Sequence, residues 1–197
     1  MSIQNNLDEA YWTSRYDNNT STWDLGVISP PIKAFCNTLR NKNISILIPG
    51  CGNGHEAQYL LDLGFKNITL IDISPVPVEN MKAKFKANLD KEIKVILGDF
   101  FDLNKKYDLI IEQTFFCALD PSLRQKYADT MPERLTNKGI LAGLYFDFQF
   151  EKNPPFGGTT TEYLNLFTPK FKSVKFSPAY NSIESRAGRE VFGIMKK

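Results

Sequence analysis

The chain has 197 residues, 42% apolar and 23% charged, with a formal net charge of +2. That length is enough to bury a full core as a single domain spanning 1–197, and the composition is that of a soluble globular protein. The near-neutral charge, without any Lys/Arg block, argues against a nucleic-acid partner.

Residues 1–30 form an aromatic N-terminal lid segment, with Tyr11, Trp12, Tyr16 and Trp23 ahead of the first strand. Asp8 is placed to cap a short helix carrying Tyr11, Trp12 and Arg15, and Thr20 to Pro31 reads as a loop. A tryptophan in such a loop either plugs the core or covers a ligand. Beside a nucleotide site the covering role gains, because aromatic faces suit both adenine and a cation. Pro30 and Pro31 suit a first helical turn, followed by Ile32, Phe35, Cys36 and Leu39 at helical spacing, with Cys36 on the apolar face as core.

The stretch from Ile44 to Asp72 organises the rest. A β-branched run, Ile44 to Ile48, precedes glycines at alternate positions, Gly50, Gly52 and Gly54. A helix with Ala57, Leu60 and Leu61 stops at Gly64, and a second apolar run, Ile68 to Ile71, ends on Asp72. Strand, glycine turn, helix, strand and acid make a nucleotide-binding βαβ unit. The glycines allow backbone amides to approach a ligand, and Asp72 is placed to accept from two ribose hydroxyls. The spacing is GxGxG rather than the dinucleotide GxGxxG, and it is similar to the first motif of S-adenosylmethionine-dependent methyltransferases.

Ser74-Pro75 opens a helix with Val78, Met81, Phe85 and Leu89 on one face, and Lys82, Lys84 and Lys86 read as solvated. Ile93 to Leu97 is the third strand, leading to Asp99 and Phe100, a carboxylate and an aromatic as an adenine pocket needs. Tyr107 to Glu112 is the fourth strand; its end delivers Gln113, Phe115 and Phe116 to the face where open α/β sheets bind ligands. Cys117 reads as packing, since no His or Lys lies near it in sequence. Residues 121–135 read as a helix that Pro132 kinks or breaks, and a fifth strand runs from Gly139 to Phe146. Asp147 to Thr161 is a proline- and glycine-rich loop on the ligand face. A short helix then carries Tyr163, Leu164 and Phe167. Phe171 to Pro178 and Val191 to Met195 are two last strands, with Arg186, Gly188 and Arg189 between them. The sum is a Rossmann-like α/β fold: a seven-stranded, mostly parallel sheet with helices on both faces and a C-terminal antiparallel hairpin.

Three cysteines without regular spacing argue for a reducing compartment. No apolar run approaches membrane-spanning length, and MSIQNNLDEA does not read as a signal peptide, so the expected location is cytoplasmic.

Tyr11–Gly26, Leu47–Leu60, Ile71–Glu79, Gly98–Leu103, Thr114–Tyr127 and Pro154–Phe167, taken in this order, resemble the thiopurine/thiol methyltransferase family, especially its branch that methylates halide ions and small thiols. The resemblance implies an enzyme using S-adenosylmethionine, with Trp12 and Trp23 as an aromatic lid. It implies Gly50 and Gly52 at the methionine part, Asp72 with Ile73 at the ribose, Asp99 and Phe100 at the adenine, and Gln113 as a further cofactor contact. Two departures stand out: Tyr16 replaces a second lid tryptophan, and Gln113 replaces an arginine found in thiopurine methyltransferases. The acceptor implied is a small thiol, thiocyanate or halide, or a thiopurine-like aromatic thiol, held by Phe115, Phe116 and Phe156 with Arg186 drawing the anion in. Methyl transfer to an anion needs alignment and removal of water rather than a base, so no catalytic side chain and no metal is implied. His55 reads as cap or surface.

Other readings stay open. Asn153-Pro154-Pro155-Phe156 copies the NPPF motif of amino-group methyltransferases of nucleic acids and proteins, yet follows the fifth strand rather than the fourth. A non-catalytic S-adenosylmethionine-binding module fits the same residues. An NAD-dependent dehydrogenase lacks both the glycine spacing and an acid/base pair.

Overall fold

The computed structural model describes residues 7–151 and 154–197; the N-terminal MSIQNN and Asn153 of the NPPF segment lie outside them. The described residues build one seven-stranded sheet: β1 (Ile46–Pro49), β2 (Ile68–Asp72), β3 (Ile93–Leu97), β4 (Tyr107–Gln113), β5 (Leu135–Phe146), β6 (Ser173–Pro178) and β7 (Glu190–Lys196). The spatial order is β3-β2-β1-β4-β5-β7-β6. Strands β1 to β5 pair in parallel, and β7 runs antiparallel to both β5 and β6. Chain order reverses between β1 and β4, where an open α/β sheet leaves its crevice.

Alternate residues of the central strands feed two cores. On one face Ile46, Ile48, Ile68 and Leu70 pack against α2 (Pro30–Thr38), α3 (His55–Asp62) and α4 (Pro75–Lys84) through Ile32, Cys36, Leu60 and Met81. On the other, Leu47, Ile71 and Leu141 meet Tyr127 and Met131 of α5 (Arg124–Glu133) and Tyr163 and Phe167 of α6 (Thr160–Phe167). Each fully buried large apolar side chain contributes about 1.5–3 kcal/mol, so these two layers hold the sheet. Among the described residues no helix is long and apolar enough to cross a membrane.

Local signals set the helix ends. Asp8 caps α1 (Glu9–Asp17), its carboxylate accepting from the Tyr11 amide at 3.0 Å. Pro30/Pro31 and Pro75 occupy the first turns of α2 and α4, and Gly64, at φ +84°, follows α3. The first strand begins at Ile46 rather than Ile44, because the Ser45 amide and hydroxyl both turn to Asp108, each at 2.9 Å. Helix α4 stops at Lys84, leaving Leu89 outside it in an isolated bridge to Ile93. Pro132 sits inside α5, which runs on through it to Glu133 and is closed by the Arg134 amide on the Thr130 and Met131 carbonyls. Strand β5 starts at Leu135, earlier than Gly139. Leu135 pairs with Tyr107 and Ile140 with Leu109, so the polar TNKG run is an irregularity within the strand rather than a turn before it. Strand β6 starts at Ser173, while Phe171 stays in the core behind α6.

Candidate active site

The carboxyl ends of β1, β2, β3 and β4, with α1, its following loop and the segment after β5, enclose a cavity of about 520 Å³. Gly50, the first glycine of the turn after β1, lies in its wall. Gly50, Gly52 and Gly54 all have positive φ, 57°, 48° and 63°. A Cβ at Gly50 would stand 2.6 Å from the Phe115 ring, so only glycine lets β1 turn beneath the β4 loop.

Asp72 ends β2 at the cavity wall and is 7% exposed. Its Oδ2 accepts from the Gly52 amide at 3.2 Å and its Oδ1 from the Ser74 amide at 3.0 Å. Burial pushes this carboxyl above its ordinary range, opposed by the amides of Ser74 and Gly52. The glycine turn thus orients the acid that faces the ligand space. Ile73, Asp99 and Phe100 continue the same wall. The Asp99 carboxylate caps the short helix Phe100–Asp102, accepting from the Phe101 amide at 2.8 Å, and Phe100 is buried.

Opposite stands an aromatic cluster from the N-terminal segment. The rings of Trp12 and Trp23 meet edge to face at 5.6 Å, as do those of Tyr16 and Trp23. Trp12, Arg15 and Tyr16 fall on one face of α1, and all three line the cavity. Burial, then the nearby Asp72 carboxylate, pushes the Tyr16 phenol well up, so it stays protonated. Two latches hold this cover. Asp24 bonds His55 Nε2 at 2.7 Å and also Asn53, tying the loop to the start of α3. Arg186 Nη2 donates to the Trp23 carbonyl at 2.9 Å from the far end of the chain.

The remaining wall is apolar with a cationic rim. Phe115, Leu119, Phe146, Phe148 and Phe150 supply it, and Pro154 and Pro155 close one side. Arg186 lies over the Phe146 ring at 5.5 Å and Arg189 over Phe148 at 4.8 Å. Cys117 lines the cavity too, but burial pushes its thiol well up, so it offers no thiolate.

Of the residues singled out from sequence, Trp12, Trp23, Gly50, Asp72, Ile73, Asp99, Phe100, Phe115 and Arg186 come together around this cavity. Gly52 and Gln113 instead line a smaller adjacent pocket, where Gln113 Oε1 accepts from the Ser29 hydroxyl at 2.9 Å. Phe116 points into the aromatic core, 5.0 Å from the Tyr127 ring and 5.5 Å from Tyr145. Phe156 is absent from the cavity wall; its amide donates to the Cys117 carbonyl at 2.6 Å, tying the proline loop to the β4 loop. His55 pairs with Asp24 of the loop after α1. The sequence reading passed over Phe146, Phe148 and Phe150, whose two-residue period beyond β5 was the available signal, and also Arg15.

Under the site lies Glu112, fully buried at the end of β4. Its Oε1 accepts from the Phe115 and Phe116 amides at 2.8 and 2.6 Å, which holds a loop where Thr114 has φ +58°. Its Oε2 has no partner among the described residues, and burial raises its pKa to about 8. Among the described residues no group of three or more His, Cys, Asp or Glu is arranged to hold a metal.

Comparison with known proteins places this geometry. The pattern of the thiopurine S-methyltransferase family matches residues 7–196. The chain is 29% identical over 191 residues to a probable thiol methyltransferase 2 of Arabidopsis thaliana, covering 94% of this chain and 84% of that protein. It is 26% identical to thiocyanate methyltransferase 1 of Brassica oleracea, covering 97% and 86%. Among solved structures, the 1,6-didemethyltoxoflavin-N1-methyltransferase of Burkholderia thailandensis, holding S-adenosylhomocysteine, superposes with a TM-score of 0.73 at 13% identity, covering 96% and 86%. The chain belongs to the thiopurine S-methyltransferase family, whose members are S-adenosylmethionine-dependent methyltransferases.

Proposed function

We propose that the chain moves the methyl group of S-adenosylmethionine to an anionic sulfur nucleophile, a small thiolate or thiocyanate. The observation that carries this reading is the division of charge in the cavity. Its acids, Asp72 and Asp99, stand at the strand ends, where Arg15 and Lys126 also line it, whereas the charged lining residues among the phenylalanines, Arg186 and Arg189, are cations only. No described residue at that apolar end is a histidine or a carboxylate, so the acceptor must arrive already ionised. The names of the thiol and thiocyanate methyltransferases support the same acceptor class.

The residues fit the cofactor. Asp72, with its carboxylate oriented by two amides, would take the ribose hydroxyls, and Asp99 with Phe100 the adenine. Trp12, Trp23 and Tyr16 would cover the sulfonium with ring faces and edges. Among the described residues the buried Arg15 Nε at the cavity has no partner, a donor available to an acceptor. When bound, S-adenosylmethionine supplies an electrophilic methyl: the new C–S bond forms as the sulfonium C–S bond breaks, and the electron pair returns to the leaving sulfur. The protein's part is alignment and exclusion of water by the lid and the phenylalanines.

The test is methyl transfer from labelled S-adenosylmethionine to iodide, thiocyanate, hydrosulfide, an aromatic thiol and a thiopurine, with Asp72→Ala as control. We expect turnover on the sulfur anions, with a pH profile that follows ionisation of each acceptor. Cofactor binding with silence across the panel would leave the binding-module reading in its place.

A further inference from the structure

We propose that the end of the sheet opposite the cavity docks on an anionic lipid bilayer, its lysines meeting the phosphates and carboxylates of the headgroups. The proposal is independent of the acceptor and rests on how the fold distributes charge.

The chain carries 24 basic and 22 acidic side chains, a net charge of only +2. Folding segregates them. Strands β1 to β6 all begin at the end away from the cavity, and β7, antiparallel to its neighbours, finishes there. Lysines from separate stretches meet at that end: Lys105 and Lys106 ahead of β4, Lys138 near the start of β5, Lys172 ahead of β6, and Lys196 and Lys197 at the close of β7. Backbone bonds fix their neighbourhood. The Lys172 amide donates to the Lys196 carbonyl at 2.9 Å, the Lys197 amide to Gly139 at 3.1 Å, and the Tyr107 amide to Arg134 at 2.8 Å. All but Lys197 are exposed. Lys197 Nζ donates to the Leu135 carbonyl at 3.0 Å. Burial, then the ammonium groups of Lys106 and Lys172, pull its pKa below the ordinary lysine value, against the opposing charge of Glu133.

The acids nearby are engaged elsewhere. Glu133 stands 3.8 Å from Arg134, and Asp129 stands 2.5 Å from Lys170. The Asp108 carboxylate accepts from the Ser45 amide and hydroxyl and from the Thr136 hydroxyl. The balance stays positive even with a carboxyl terminus at Lys197. Asp72, Asp99, Asp102 and Asp120 stand instead at or just after the carboxyl ends of β2, β3 and β4, the cavity end. A negative surface therefore attracts the lysine end and leaves the cavity facing water, from which the cofactor enters.

Lipid fits these residues better than nucleic acid. Lysine is a compact, hydrated point charge, suited to scattered headgroups rather than to a bidentate fit. Base stacking needs exposed rings, and the aromatic residues in these stretches, Tyr107 and Phe171, are buried. The turn between β6 and β7 lies at the cavity end, so that hairpin offers no tip here to enter a groove. With charge alone and no apolar anchor, docking is reversible and weakens with salt.

The experiment sediments the full chain with phosphatidylcholine vesicles, with and without phosphatidylserine, at low and at physiological ionic strength. One variant combines Lys106→Gln, Lys138→Gln, Lys172→Gln and Lys196→Gln. A control removes the same charge elsewhere through Lys33→Gln, Lys82→Gln, Lys86→Gln and Lys94→Gln. We expect binding only to vesicles with phosphatidylserine, weaker at the higher salt. Each lysine at the surface corresponds to about fivefold, so the first variant should lose on the order of a hundredfold, and the control should keep most of the affinity. No sedimentation with phosphatidylserine at low salt overturns the proposal, as does equal loss in the two variants. Tighter binding of a labelled DNA oligonucleotide than of these vesicles overturns it in favour of nucleic acid.

Discussion

Glu112 makes stability fall as pH rises, and replacing it with glutamine should remove that slope. Its carboxyl is fully buried with a pKa raised by burial from 4.5 to about 8. The folded chain therefore keeps a proton that the unfolded chain releases above pH 4.5. With the folded value raised, stability is fully present below pH 4.5 and is lost as pH climbs through 8. The slope is about 1.4 kcal/mol per pH unit, which over this window amounts to about 5 kcal/mol. Glu112→Gln cannot ionise, yet its amide oxygen can still accept from the Phe115 and Phe116 amides that Oε1 now serves. A constant offset from wild type is expected, since the NH₂ of the variant enters the space of an oxygen without a partner among the described residues. Urea unfolding at pH 5, 6, 7 and 8 separates offset from slope, and the stability of the variant relative to wild type should rise across the series. Parallel curves for the two proteins would refute the reasoning.

Gly50→Ala should lower the melting temperature. A Cβ at φ +57° costs about 1–2 kcal/mol, and displacing the Phe115 ring that stands 2.6 Å away adds about 1–3 kcal/mol. In a chain of this size the sum is a Tm loss of about 5–15 °C by thermal unfolding, and an unchanged Tm would mean the turn is not strained by a side chain. Arg186→Gln should lose both stability and cofactor affinity, because it abandons the buried Glu190 at a cost of about 3–5 kcal/mol and frees the Trp23 carbonyl. Adding Glu190→Gln should restore the melting temperature but not the affinity for S-adenosylhomocysteine, read by tryptophan fluorescence; recovery of both would deny Arg186 its hold on the lid.

The parts of the site that follow one another in sequence were legible there. Gly50, Asp72, Asp99 and Phe100 each lie at a strand's carboxyl end, and strand ends show as the close of an apolar run. Continuous apolar runs also located the seven strands, because burial on both faces leaves runs such as ITLID. What the pattern hid depends on contacts between distant residues. Phe115 and Phe116 look equivalent in TFFCAL, yet the Glu112 clamp turns one ring to the cavity and the other to the core. Gln113 ends a strand like Asp72 but bonds Ser29, across 84 residues, and so faces the smaller pocket. The start of β5 was hidden because TNKG has turn composition, whereas pairing of Leu135 with Tyr107 keeps it in the sheet.

Arg186 links the aromatic cluster of the N-terminal segment to the phenylalanine wall. Its guanidinium touches the N-terminal aromatic cluster through the Trp23 carbonyl, the phenylalanine wall through the Phe146 ring, and β7 through Glu190. A lid held only by Asp24 and the glycine-loop side could close over cofactor whatever lay in the apolar end. With Arg186 bridging 163 residues to Trp23, displacement of Phe146 by an acceptor also bears on the position of the tryptophan.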